Sequence, residues 1–286
     1  MNAYGYGYCL EPQQKMHEAS AEKVTLKIGQ TTFAAHGNKA FAMVTAVVSG
    51  DEIVDSYIDE FQYMSADSAQ GIVNSEGMAD NIVEGKVLAS KRENSETYSK
   101  SLAEKAGSTV KYADNLDAIQ EFIKGKKISE LEELVNNKTA EEVTDAVSGA
   151  TLKDTAGYIK AVLEAAKQAQ ATTGVEFDGK IEDLKLSQTY AAAHGKKAFA
   201  VASALTDNDK VVLSYIDEYQ FMNADGTTGV ANSEEGLKDN VVEGKVLASK
   251  RVNSDTYSKT IAEKAGSTVK FADNLKAIQE FVDGKT

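Results

Sequence analysis

The chain contains one cysteine, one proline and no tryptophan. With Cys9 alone, no internal disulfide can form, and no Cys/His cluster has metal-ligand spacing. Cysteine scarcity fits an oxidising compartment. No apolar run reaches the roughly 18 residues that a membrane-spanning helix needs. Basic residues are outnumbered, 31 Lys and Arg against 44 Asp and Glu, for a net charge of −13. They are also scattered, so no basic patch exists to hold a polyanion, and nucleic acid is excluded as a partner. Residues 1–12, MNAYGYGYCLEP, have neither the charged nor the apolar region of a signal peptide. Gly7-Tyr8-Cys9 puts a bulky tyrosine where a lipid-attachment site wants a small residue, so Cys9 reads as a free thiol. No nucleophile–His–acid triad, P-loop or dinucleotide fingerprint is present.

What the chain does have is a repeat. Residues 31–126 recur at 189–285, offset by 158 up to Asn74/Asn232 and by 159 after one inserted residue near Glu235. Between residues 80–126 and 239–285, 38 of 47 positions are identical, and changes such as Tyr112/Phe271 and Ile123/Val282 keep their shape. A period of this length is domain-sized and means tandem units, not a short-repeat solenoid. A chain of 286 residues with 42% hydrophobic content has room for two cores.

Each copy opens with β-branched and aromatic runs. Thr31–Ala35, Lys39–Val48 and Ile53–Tyr63 match Thr189–Ala193, Lys197–Leu205 and Lys210–Phe221. Turn signals separate them, which predicts an antiparallel meander. Helices are expected from Asn94 to Ala106, from a cap at Asp114 or Asn115 to Ile123, over Ser129–Asn136 with a capping box at Ser129–Glu132, and over Leu152–Gln170. Strands followed by helices indicate an α+β fold. The expected division is an N-terminal extension at 1–23, a first domain at 24–174 and a second at 175–286. The second copy has no counterpart of residues 128–172. Truncation and a naturally shorter second domain both remain open.

Within the unduplicated stretch lies Asp145-Ala146-Val147-Ser148-Gly149-Ala150-Thr151, followed at once by a helix-forming run. Gly149 and Ala150 leave room around Thr151 and let the backbone turn. Thr151 is expected at Ncap or N1 of the helix, where free N–H groups and the positive dipole end favour an anion. Ser148 and Thr155 would add hydroxyl donors. Asp145 suits a divalent metal carried by a modifying enzyme, or a hydrogen bond within the turn. Taken alone, Ser-Gly-Ala-Thr before an Ala/Leu-rich helix is also an ordinary cap.

The heptapeptide, the following Leu152–Tyr158 and the duplicated Gly-Lys-Val-Leu-Ala-Ser-Lys-Arg segments at 85–92 and 244–251 resemble the FMN-binding-domain family. These are covalently flavinylated proteins related to subunits of sodium-pumping NADH:quinone reductase and Rnf complexes. The chain looks most like the tandem-domain flavoproteins of Gram-positive extracellular electron transfer, from about residue 24 onward. The resemblance implies two FMN-binding-type domains, the second cut short before its motif. It implies FMN joined through its phosphate to Thr151, one per chain, with Asp145, Ser148, Gly149 and Ala150 forming the attachment sequence. It further implies a flavin transferase for maturation, a quinone-linked membrane donor, extracellular acceptors, an extracytoplasmic location and the role of electron carrier rather than enzyme. Two departures stand against it, the missing leader and the missing second motif. His36, in Ala-Ala-His-Gly, and Met64, at the end of the third strand, are weaker candidates for flavin contact. A turn role suits His36 and its mate His194, and core filling suits Met64. The alternative function is a cofactor-free tandem module for binding or surface assembly, which would not need the heptapeptide.

Overall fold

A computed structural model describes residues 23–286. Cys9 and the N-terminal extension, apart from Lys23, lie outside the described residues. The architecture is α+β, with two antiparallel sheets and, among the described residues, eight α-helices. The first sheet begins with β1 (Val24–Phe33), β2 (Ala40–Ser49) and β3 (Glu52–Ser65). After the single turn α1 (Ser75–Met78) comes β4 (Lys86–Ser90). Five helices follow: α2 (Ser95–Ala106), α3 (Tyr112–Ile123), α4 (Ile128–Asn137), α5 (Ala140–Ala146) and α6 (Thr155–Gln170). A short strand, β5 (Val175–Phe177), returns to pair with β1, giving the order β4-β3-β2-β1-β5. The first sheet therefore extends past the boundary expected at residue 174.

The second copy builds β6 (Leu184–Ala191), β7 (Ala198–Asp207), β8 (Lys210–Asn223), β9 (Lys245–Ser249), α7 (Ser254–Ala265) and α8 (Phe271–Val282). Its sheet has the order β6-β7-β8-β9. The meanders follow the sequence expectation, but β1 starts seven residues before Thr31, and β4 and β9 were hidden inside the Gly-Lys-Val-Leu-Ala-Ser-Lys-Arg segments.

Strand β2 is buried on both faces, which is why Ala-Phe-Ala-Met-Val-Thr-Ala-Val-Val is apolar at every position but Thr45 instead of alternating. Ala42, Val44, Ala46 and Val48 face α6 and the other helices, while Phe41 and Met43 face the second sheet. The sheet-to-sheet core takes matched residues from both copies: Phe41 and Phe199, Met43 and Val201, Phe61 and Tyr219, Leu88 and Leu247.

Polar contacts across this junction are reciprocal. Asn74 Nδ2 donates to the carbonyls of Gly195 and Ala198, and Asn232 Nδ2 donates to those of Gly37 and Ala40. The Val83 N–H donates to Asn240, and the Val242 N–H to Asn81. Thr45 meets its own mate, Ser203, at 2.9 Å. One patch used twice is the signature of an isologous contact, here formed within a single chain.

Asp59 and Asp217 occupy matched positions at this junction and are almost fully buried. Burial pushes the Asp217 carboxyl up to about 6, against hydrogen bonds from Ser249 and two backbone N–H groups. Because the folded value is raised, this group favours the folded state below about pH 4, and that benefit is lost as pH rises to 6. The loss is on the order of 3 kcal/mol at most. Asp217→Asn keeps the shape and removes the titration. Urea melts at pH 4 and pH 6.5 are expected to show a smaller fall in stability for the variant than for the wild type; equal falls would overturn this assignment.

Candidate functional site

The face of the first sheet turned toward the helices carries an unusual polar cluster. Glu60, on β3, is fully buried and forms an ion pair with Lys91, itself fully buried just past β4. The same carboxylate oxygen lies 3.0 Å from the hydroxyl of Tyr158 on α6 and 3.1 Å from that of Tyr112 on α3, and the two hydroxyls are 2.9 Å apart. Their two protons serve two of these three contacts: Tyr158 donates to Glu60 and Tyr112 donates to Tyr158. Burial alone would raise Glu60, but Lys91 and His36 outweigh it and hold the carboxyl below its ordinary value. Burial likewise disfavours the Lys91 cation, and Glu60 more than restores it. Both groups are therefore charged, and burial, with Glu60 next, drives both tyrosines well above their usual range. The second carboxylate oxygen of Glu60 has no hydrogen-bond partner among the described residues.

His36 lies where this cluster meets solvent. Its Nδ1 is 3.3 Å from Lys91 Nζ and 3.6 Å from Glu60, and its Nε2 is 3.7 Å from Asp154. The Nδ1 atom thus faces both a donor, Lys91, and an acceptor, Glu60. Two clefts of about 310 and 370 Å³ meet at His36, Tyr98 and Leu102. Together they have the dimensions of a cofactor site. Lys39 and Lys105 line one, Lys153 and Asp154 the other.

Thr151 opens into the smaller cleft and is solvent-exposed. Its placement differs from the sequence expectation. Helix α6 starts at Thr155 with Asp154 as N-cap, so Thr151 lies in the preceding turn, four residues before the first helical residue. The N-cap position of α6 thus belongs to Asp154, whose side chain makes no capping hydrogen bond, and not to Thr151. The residue that holds Thr151 is Asn115, whose Oδ1 accepts the Thr151 N–H (2.6 Å) and hydroxyl (3.1 Å). Ser108 Oγ lies 3.3 Å from the same hydroxyl. Asn115 is not a helix cap, as the sequence reading had it; α3 begins at Tyr112, and its first N–H groups go to Ser99 and Ser95 of α2.

The other sequence candidates separate clearly. Gly149 takes φ +90, a conformation that favours glycine, and Ala150 closes the turn by donating to the Val147 carbonyl. Asp145, in the last turn of α5, and Ser148 are exposed and line neither cleft. Thr155 is buried with its hydroxyl spent on the Leu152 carbonyl (2.6 Å), so it cannot donate to a ligand. Met64 pairs with Val87 and lines neither cleft; Gln62, two residues earlier, does line one. The expected capping box at Ser129 is also absent, since Ser129 bonds Asp51, and the box forms instead between Thr139 and Glu142.

Comparison with protein-family models, with curated proteins and with solved structures finds no match for this chain.

The repeat supplies an internal comparison instead. Glu218, Lys250 and His194 reproduce the Glu60–Lys91–His36 arrangement. The Tyr112 hydroxyl is not reproduced, since Phe271 stands in its place. Glu, Lys and His are thus common to both copies, while the Tyr112 hydroxyl is not. Sequence reading missed Lys91 and Asn115. Their signal was identity between the copies at polar positions that the fold buries.

Proposed function

We propose that the protein is an electron carrier with FMN esterified through its phosphate to Thr151. The observation that carries this reading is the exposed Thr151 hydroxyl, held by Asn115 at the mouth of a cleft leading to His36 and Tyr98. The cleft residues fit such a group. Lys153, Lys105 and Lys39 offer positive charge to a phosphate, and Tyr98 and Leu102 offer apolar surface to a ring. When bound, FMN supplies one- and two-electron redox chemistry, and the protein supplies attachment, orientation and electrostatics. His36 presents its imidazole ring at the cleft with the Glu60–Lys91 pair behind it. The two FMN-binding-type units of the fold, the quinone-linked donor, the extracellular acceptors and the extracytoplasmic setting rest on the family resemblance. The cofactor-free alternative draws on one feature, the uncovered side of α8, where Ile278 is 49% and Phe281 74% exposed.

Protein produced together with a flavin transferase is expected to gain the mass of one FMN less water and a flavin absorption spectrum. Thr151→Ala should gain neither. An unmodified mass for wild type in that preparation would sink the proposal, as would undiminished modification of the variant.

A further inference from the structure

Among the matched positions at which the two copies differ in their shared interface, one changes a large side chain for a small one. Beside Asp59, Tyr190 reaches across from the other sheet. Its hydroxyl donates to Asp59 Oδ2 (2.6 Å) and accepts from Gln188 Nε2 (3.1 Å), while its ring lies edge-on to Phe61 at 5.3 Å. The matched residue on the opposite side is Thr32, too short to reach Asp217. In place of a phenol, that side has a cleft of about 590 Å³ whose lining includes Thr32, Gln30, Asp217, Tyr219, Val230 and Val252. Asp59 Oδ2 takes two hydroxyl donors at 2.6 Å, Ser90 and Tyr190; Asp217 Oδ2 takes Ser249, and the Tyr219 phenol near that carboxyl makes no contact as short as that of Tyr190 on Asp59. The Tyr219 hydroxyl, 3.5 Å from Gln30 Oε1, adds a second polar group at the cleft floor.

We infer that this cleft binds a small neutral hydroxyaromatic molecule, with its ring where Tyr190 sits on the opposite side and its hydroxyl directed at Asp217. A buried carboxylate with an acceptor site to spare favours a donor. Asp217 repels anions, and the Arg251 guanidinium at the same cleft, stacked on Tyr215 at 4.6 Å, repels cations. A neutral hydroxyl on an aromatic ring satisfies both conditions, and Val230, Val252 and the Tyr219 ring provide its apolar walls.

The natural probe is 4-methylphenol, the tyrosine side chain itself. Calorimetric titration should give saturable 1:1 binding, at least tenfold tighter than for toluene, and unchanged in Thr151→Ala. Thr32→Tyr, which supplies the phenol from within, should abolish it while keeping the wild-type circular dichroism. Amide-resolved NMR of the wild-type chain is a second readout independent of that variant, and shifts should concentrate at Thr32, Val230 and Val252. Absent saturation, equal affinity for toluene, or shifts centred elsewhere would overturn the site. Tighter binding of N-acetyltyrosine amide than of 4-methylphenol would overturn its assignment to a small molecule.

Discussion

Lys91→Met is expected to destabilise the protein by about 3–5 kcal/mol at pH 7, because it strands the Glu60 carboxylate in a site that is fully buried. Two tyrosine hydroxyls and His36 remain around that carboxylate, but none of them replaces the cation. The cheaper response is protonation. In the wild type, the folded carboxyl is held below its ordinary value, so its contribution is present at neutral pH and lost as pH falls. In Lys91→Met the sign reverses: burial now dominates, the folded value rises, and stability should increase as pH drops from 7 toward 5. Urea melts at both values check this. Adding Glu60→Gln should recover more than half the loss, because the amide oxygen still accepts from Tyr158 while the charge is gone. A Lys91→Met protein as stable as wild type at pH 7 would mean that the pair contributes nothing to folding.

That cluster also marks the limit of what the sequence made legible. The meanders were readable because β-branched runs and Gly- or Asn-containing turns act locally. The opposite orientation of Asp59 and Glu60 was readable from strand alternation, and the structure has Asp59 toward the second sheet and Glu60 toward the helices. Their partners were not readable. Lys91 is 31 residues from Glu60, and Tyr158 is 98 residues away. The heptapeptide was legible as a string, yet its setting was not. Thr151 is fixed by Asn115, 36 residues earlier, and the start of α6 depends on how Leu152–Asp154 turn above the sheet. The start and stop of α2 at Asn94 and Gly107 were readable, but the cap expected for α3 failed for the same reason, since its first N–H groups are held from α2 by Ser95 and Ser99, where local capping rules have no reach.

Gly29→Ala is expected to cost about 3 kcal/mol or more, and its matched partner gives the control. Helix α6 lies so close to β1 that a Cβ on Gly29 would overlap the backbone nitrogen of Ala169. Gly157 repeats the constraint from the helix side, where a Cβ would overlap the Ala35 carbonyl. Neither neighbour is a flexible side chain, so relief requires lifting α6 from the sheet. That would expose Val44, Ala46 and Val48 and pull Tyr158 away from Glu60. The residue matched to Gly29 in the second copy is Ser187, which is exposed. Val44 is matched by Ala202, Val48 by Thr206 and Phe33 by Ala191, each smaller or more polar. The outer face of the second sheet therefore has side chains suited to solvent, and a helix docked as α6 docks on β1 would collide with Ser187. These substitutions leave a surface that cannot take a helix as closely as β1 takes α6. Ser187→Ala should accordingly change stability by less than about 0.5 kcal/mol, and chemical denaturation of the two variants side by side measures both. A tolerated Gly29→Ala would mean that α6 sits farther from β1 than described. A costly Ser187→Ala would mean that the outer face of the second sheet is covered after all.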